Sequence, residues 1–328
     1  MPVLNEAEHL STALDAIDRQ TYPADRLELL IVDGGSTDHT LEFVQQRMKD
    51  DSRIRLLGGR GVNTPLAMNL GIEASTGDFI AKIDGHGWID ERFVDTAVTT
   101  MLVDETVGCV GGSIVPVAET TAERANAIAR FSLLGVGSGI YTAPKRLHET
   151  ETVQCGVYRR RAIIDAGGFD PSLPYGEDEE ANYRVRQAGW KVLFNPGMTF
   201  HYRVRPSASA LFRQYYRYGH ARVAVVRKHP AFFRLKHAIP GFLVAALAMS
   251  LPAVALGALR SVAIGLWGGY AAFVVSGGVV LAGSRRFSRP DLIALALAAL
   301  HIGYGLGSLV GLVGRSGTQK GIATSHRP

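Results

Sequence analysis

The stretch LELLIVDGGSTD, residues 27–38, decides the fold. A short apolar run, closed by an acid and followed by a Gly-Gly-Ser turn, reads as a buried strand with a loop at its carboxyl end. Outward from it the pattern alternates. Residues 6–20 put Leu10, Ala13, Leu14 and Ile17 at helical spacing, and residues 38–49 are helical again. RIRLLG (53–58) is strand-like, 63–75 helical and DFIAKID (78–84) another strand, while the opening MPVLN is a very short strand. Strands and helices alternating through short loops predict an α/β domain with a mostly parallel sheet flanked by helices. Acids close two of the strands, Asp33 and Asp84. Ligands of open α/β sheets bind beyond the carboxyl ends of the strands, so the two mark a candidate site. A helix-capping role is the plain alternative for Asp33, and for Asp38 it is the expected one.

The second half has another character. The chain has 328 residues, 35 basic and 30 acidic, with 47% hydrophobic content, enough for a core and too much for a disordered chain. Residues 238–328 hold seven Lys/Arg and a single acid, Asp291, whereas residues 1–237 are nearly neutral. Three runs, 238–259, 261–284 and 292–314, are close to charge-free, and each reaches the ~20 residues that cross a bilayer. Three buried core helices of a large soluble protein are the alternative, disfavoured because the runs are apolar all round and have no polar face. Basic residues precede the first run (Arg222, Arg227, Lys228, Arg234, Lys236) and separate the second from the third (Arg285, Arg286, Arg289). The positive-inside rule puts both groups, and the N-terminal domain with them, in the cytoplasm. Three crossings would leave the polar tail 315–328 outside, which its own Arg315, Lys320 and Arg327 slightly oppose. The basic excess adjoins the apolar part, so it predicts an anionic inner leaflet as partner and no nucleic acid. Cys109 and Cys155 form no CxxC pair and give no disulfide framework.

Several motifs then occur in order: NE (5–6), VDGGSTD (32–38), KIDGH (82–86), GGFD (167–170), GEDEE (176–180) and QYYRY (214–218). Together they resemble the family-two glycosyltransferases of GT-A fold, and in particular those of succinoglycan biosynthesis. Members usually carry several more residues of first strand before PVLNE, so a shortened first strand with fewer ladder bonds is expected here. The resemblance implies transfer of a sugar from a nucleotide diphosphate sugar to a hydroxyl, with inversion. Asp33 and Glu6 would help hold the donor, with Gly34 standing where the family has a second aspartate. Asp84 and His86 replace the Asp-x-Asp and would hold Mg²⁺ or Mn²⁺, imidazole favouring the latter. His201, downstream of the acidic motif, would complete that metal or diphosphate site. Asp178 would be the general base and Glu177 its orienting neighbour, at a helix start that stabilises carboxylates. Glu179 and Glu180 are expected at the surface or in structural roles.

Gln214, Arg217 and Tyr218 match a QxxRW-like box with Tyr for Trp, and their i, i+3, i+4 spacing puts them on one helix face. Arginine can clasp phosphate and the ring can stack on a sugar. The alternative for this stretch is a basic amphipathic helix on the membrane. Nine Lys/Arg without an acid run from Arg203 to Lys236, and residues 203–237 are expected to lie along the inner leaflet between a catalytic domain, 1–202, and a membrane domain, 238–314. Donor choice is expected around residues 60–68 and 110–158. The favoured function is extension of a lipid-linked glycan in polysaccharide or cell-envelope synthesis at the inner membrane. A polyprenyl-phosphate sugar synthase would need no separate hydroxyl base, a processive synthase would need a wider channel, and a non-catalytic scaffold would have no use for Asp84, Asp178 and Arg217.

Overall fold

The computed structural model describes residues 1–135, 146–255, 257 and 259–314. The polar tail 315–328 and residues 136–145, part of the stretch expected to choose the donor, lie outside them. The first three strands, β1 (Pro2–Val3), β2 (Leu29–Asp33) and β3 (Ile54–Gly58), form a parallel sheet in the order β1-β2-β3. Its crossovers carry α1 (Leu10–Asp18) and α2 (Thr40–Asp50), and α3 (Thr64–Ala74) follows β3. Parallel pairing is what alternation through helices requires. β1 contributes two residues, as the short opening implied, and pairs only Pro2 and Val3 with β2.

Beyond α3 the sheet becomes mixed. β4 (Phe79–Ala81), β5 (Gly87–Ile89), α4 (Phe93–Val103), β6 (Val107–Val117) and α5 (Thr121–Arg130) lead to the small strands β7 (His148–Glu149) and β8 (Val157–Arg159). Then come α6 (Arg160–Asp165), α7 (Glu177–Gln187) and the long β9 (Lys191–Arg203). The order is β4-β8-β6-β9-β5, with β7 on β9; only β6 and β9 run parallel. The expected strand 78–84 shortens to β4, so Lys82, Ile83 and Asp84 run past its end. One core cluster joins Leu10, Leu14 and Ile17 of α1 with Ile31 of β2 and Phe93 and Met101 of α4; a second gathers Met68, Tyr158, Phe169 and Val185. Each fully buried side chain of this size contributes about 1.5–3 kcal/mol by leaving water.

The remaining helices are α8 (Ala208–Lys228), α9 (Leu235–Ala255), α10 (Arg260–Arg285) and α11 (Pro290–Val313). The last three contain stretches long and apolar enough to cross a membrane. Their exposure differs: α10 is mostly bare, whereas α11 is more than half covered by protein. A third cluster joins Ala125 and Ala129 of α5, Leu211 and Tyr215 of α8, and Ile293, Leu297 and Leu300 of α11. Midway along α11, His301 Nε2 meets the Leu134 carbonyl at 2.8 Å, so the α/β part touches this helix at its middle.

Residues 203–236, expected along the inner leaflet, also make close contacts within the protein. α8 packs flat on α11: a Cβ on Gly219 would come within 2.1 Å of the Tyr304 carbonyl oxygen, and one on Gly307 within 2.0 Å of that of Tyr216. Backbones this close need glycine at the contact. Most of the cations have partners inside the protein. Arg203 pairs with Glu119, Arg222 with Glu179, Lys228 with Asp170 and Glu180, and Arg234 with Glu151, while Arg227 donates to the carbonyls of Leu312 and Gly314.

Candidate active site

Two segments far apart in sequence build the centre. The chain leaving β4 delivers Lys82 and Asp84; two residues apart in extended chain, they face the same way. The amino end of α7 delivers Glu177 and Asp178. Gly176 begins that helix at φ +77, a conformation glycine takes without cost, and the four acids behind it lie in the first turn, where the helix dipole favours them. Lys82 Nζ donates to Asp178 Oδ2 at 2.9 Å and to Glu177 Oε1 at 3.3 Å, and lies 3.3 Å from Asp84 Oδ1. The lysine is 1% exposed. Sequence reasoning passed over it, although a lysine inside the apolar run FIAKID was a signal.

Three carboxylates around one ammonium set the electrostatics. Burial pulls Lys82 down, but Asp178, Asp84 and Glu177 overcome it and keep the ammonium charged well above the usual range. Burial raises Asp178, with Lys82 pulling the other way. Glu177 is pushed to about 7 by burial, opposed by Lys82 and reinforced by the Asp178 and Asp84 charges. Desolvation would raise the half-buried Asp84, but Lys82 and His86 hold it below the ordinary value. Its second oxygen accepts from the Cys155 thiol at 3.5 Å. Asp178 Oδ1 is buried without a well-aligned hydrogen-bond partner, although the Cys155 backbone N–H favours the charged form. The centre therefore holds an anchored carboxylate with one acceptor oxygen to spare.

A second group adjoins it. His86 Nδ1 lies 3.5 Å from Glu6 Oε1; burial would lower this imidazole, but Glu6 and Asp84 raise it. Its ring meets Tyr202 edge-on at 6.1 Å. Gln214 Nε2 donates to the hydroxyls of Tyr202 at 2.8 Å and Tyr218 at 3.1 Å. The Arg130 guanidinium lies 4.4 Å over the Tyr202 ring. Burial would raise the Tyr202 phenol, yet Arg130 and Arg205 bring it down to about 8. Arg217 stacks over Tyr175 at 5.7 Å. The structure thus gathers Glu6, His86, Gln214 and Tyr218 and adds Arg130 and Tyr202, which no motif had marked.

Other expected residues have different surroundings. Asp33 is buried and accepts from the Gly35 N–H at 2.8 Å and the Ser36 N–H at 3.1 Å, closing the loop after β2. Asp38 accepts from the Ala7 and Thr40 N–H groups ahead of α2, close to its expected capping place. His201 is not brought to Asp84: it stacks on Trp88 at 5.1 Å and pairs with Asp90 at 2.7 Å. Successive strand residues face opposite ways, so with Tyr202 turned to the site its neighbour turns away. Glu180 is fully buried, held by Arg184, Lys228 and His229, not exposed at the surface. Among the described residues no three His, Cys, Asp or Glu side chains converge as a metal cage. Asp84 and His86 offer one carboxylate and one imidazole, which suits an ion whose shell is completed by diphosphate oxygens and water.

Comparison with known proteins gives the family and the fold. Residues 1–167 match the family described as "Glycosyl transferase family 2". The chain is 28% identical over 313 residues to the succinoglycan biosynthesis protein ExoA of Rhizobium meliloti (strain 1021), covering 94% of this chain and 92% of that one. It is 29% identical over 252 residues to the dolichyl N-acetyl-alpha-D-glucosaminyl phosphate 3-beta-D-2,3-diacetamido-2,3-dideoxy-beta-D-glucuronosyltransferase of Methanococcus voltae, covering 74% of this chain and 77% of that one. Among solved structures, the mannosyltransferase PcManGT of Pyrobaculum calidifontis, in complex with GDP-Man and Mn²⁺, shares the fold at TM-score 0.60 and 21% identity over 94% of this chain and 85% of that one.

Proposed function

The chain belongs to glycosyl transferase family 2, and from that premise we propose that it is an inverting, metal-dependent transferase. It moves a sugar from a nucleotide diphosphate sugar to a hydroxyl of a lipid-linked glycan at the cytoplasmic face of the cell membrane. The observation that carries this reading is the spare, buried Oδ1 of Asp178 beside a carboxylate pinned by Lys82.

Asp178 is the base. As the acceptor oxygen bonds to the anomeric carbon, its proton passes to Asp178, and the bond from that carbon to the diphosphate oxygen breaks with its electron pair leaving on the diphosphate. One in-line displacement inverts the configuration. Lys82 fixes the orientation of Asp178 and favours its ionised form, and Glu177 shares the same ammonium. Asp84 and His86 would hold Mg²⁺ or Mn²⁺, which would supply positive charge toward the diphosphate. Glu6 orients His86, and Asp33 shapes the donor loop. Gln214, Arg217 and Tyr218 receive phosphate oxygens and the acceptor sugar.

The three apolar helices and the basic α10–α11 turn support a multi-pass protein with its α/β half in the cytoplasm. A polysaccharide-type acceptor is supported by the relative named for succinoglycan biosynthesis, and a lipid-linked one by the relative named for a dolichyl phosphate substrate. The test is a screen of nucleotide diphosphate sugars against membranes containing the full chain and lipid-linked glycans, read by mass spectrometry. The expected product is the acceptor glycan heavier by one sugar with inverted anomeric configuration. Sugar attached directly to a lipid phosphate would contradict the reading.

A further inference from the structure

We propose that the junction of the α/β half with the apolar helices holds a binding site for the phosphate headgroup of a membrane lipid. An open cleft of about 420 Å³ lies between α5 and the α10–α11 turn. Arg124 enters from α5, and Arg285 and Arg286 enter from the turn. Ala127, Ile128 and Phe287 supply an apolar wall, and among the described residues no acid lines the cleft. Among the described residues none of the three arginines has an ion pair or side-chain hydrogen bond. The nearby acids are engaged elsewhere: Glu119 with Arg203, Glu123 with the N–H groups of Glu119 and Thr120, and Asp291 with Arg289.

The backbone adds an independent observation. Arg286 ends α10 in the left-handed conformation, φ 50 and ψ 45, where glycine is the usual residue. A residue with a side chain is strained there, and an anion bound by the guanidinium would offset that strain. Three guanidinium groups match the oxygens of a phosphate. The apolar surroundings distinguish a lipid from a soluble anion. The last turns of α10 expose Val275, Val279 and Val280, a surface for acyl chains beside the headgroup. Along α5, Arg124 and Arg130 are separated by about 9 Å at helical rise, and Arg130 contacts Tyr202 and lies near Gln214 in the candidate active site. A bound headgroup therefore clamps the helix that braces the site.

This inference rests on the membrane placement proposed above but not on the transfer chemistry, so lipid counting tests it whether or not transfer is detected. The full chain in neutral detergent is titrated with phosphatidylglycerol or phosphatidylcholine and weighed by native mass spectrometry. The expected result is one phosphatidylglycerol beyond the phosphatidylcholine count. It is lost in the double variant Arg124→Gln/Arg286→Gly and retained in a charge-matched control, Arg213→Gln/Lys236→Gln. Glycine suits the left-handed position, so Arg286→Gly alone should melt no lower than the parent, which separates lost binding from misfolding. Equal phosphatidylglycerol counts in parent and double variant, or equal loss in the control, would overturn the proposal. Displacement of the lipid by millimolar inorganic phosphate would assign the cleft to a soluble anion and overturn it as well.

Discussion

Lys82 and Asp178, 96 residues apart, share a buried ion pair with Nζ to Oδ2 at 2.9 Å. This one contact ties the segment that follows β4 to the first turn of α7 and sets the charge of the whole centre. Removing one member of a buried pair costs about 3–5 kcal/mol, because the other is left unpaired. Lys82→Met is expected to lower stability by about that much and to draw a proton onto the carboxylates, suppressing transfer even in the folded fraction. Adding Glu177→Gln removes one of the repelling charges and should restore part of the stability. Denaturation of the full chain in detergent checks both.

Glu180 makes the pH dependence. Burial would raise its carboxyl, but Arg184, Lys228 and His229 bring it down to about 2. A depressed carboxyl contributes stability that is complete above the ordinary glutamate value of 4.5 and is lost as pH falls toward 2. The contribution is on the order of 3 kcal/mol. Melting temperature should therefore fall between those pH values in the parent. Glu180→Gln should be less stable at neutral pH and flatter across the acid range. Because Lys228 ends α8 and His229 follows it, the variant should also loosen α8 from α7, visible as faster amide exchange in both helices.

The α8–α11 contact predicts opposite outcomes for two glycines. A methyl at Gly307 would fall 2.0 Å from the Tyr216 carbonyl oxygen, whereas Gly265 on α10 has nothing within 4 Å. Gly307→Ala should destabilise by about 1–3 kcal/mol through overpacking. It should also reduce transfer, since α8 carries Gln214 and Arg217. Gly265→Ala should be neutral or gain up to about 1 kcal/mol from helix preference. Paired melts and activity assays in one detergent measure the difference.

The metal prediction follows from a mixed ligand pair. Chelation should abolish transfer, and Mn²⁺ or Mg²⁺ should restore it. His86→Ala should shift the preference away from Mn²⁺, since imidazole favours transition metals over Mg²⁺. Undiminished transfer in chelator would remove Asp84 and His86 from this role.

Local pattern made the N-terminal strands and helices legible in the sequence, and the ordered motifs marked Asp84, Asp178, Gln214 and Tyr218 as candidates. Tertiary pairing did not show. The partners of Arg203, Arg222 and Lys228, namely Glu119, Glu179 and the pair Asp170 and Glu180, are scattered along the chain, and no spacing links them. His201 was misplaced by one step of strand alternation: its neighbour Tyr202 faces the site. Arg130 ends an ordinary amphipathic helix, and only the fold sets it over Tyr202. The mixed half of the sheet escaped because strands as short as β5 and β8, three residues each, leave no periodic signal.

Asp178→Asn tests the central claim most directly. The amide keeps the shape of the side chain but cannot accept the acceptor's proton. Donor binding, measured by calorimetry with the sugar nucleotide and Mn²⁺, should stay within a few-fold of the parent, while transfer to the lipid-linked acceptor should fall by roughly 10²–10⁴. Transfer at the parental rate by a variant that binds donor normally would contradict the assignment of Asp178 as the base.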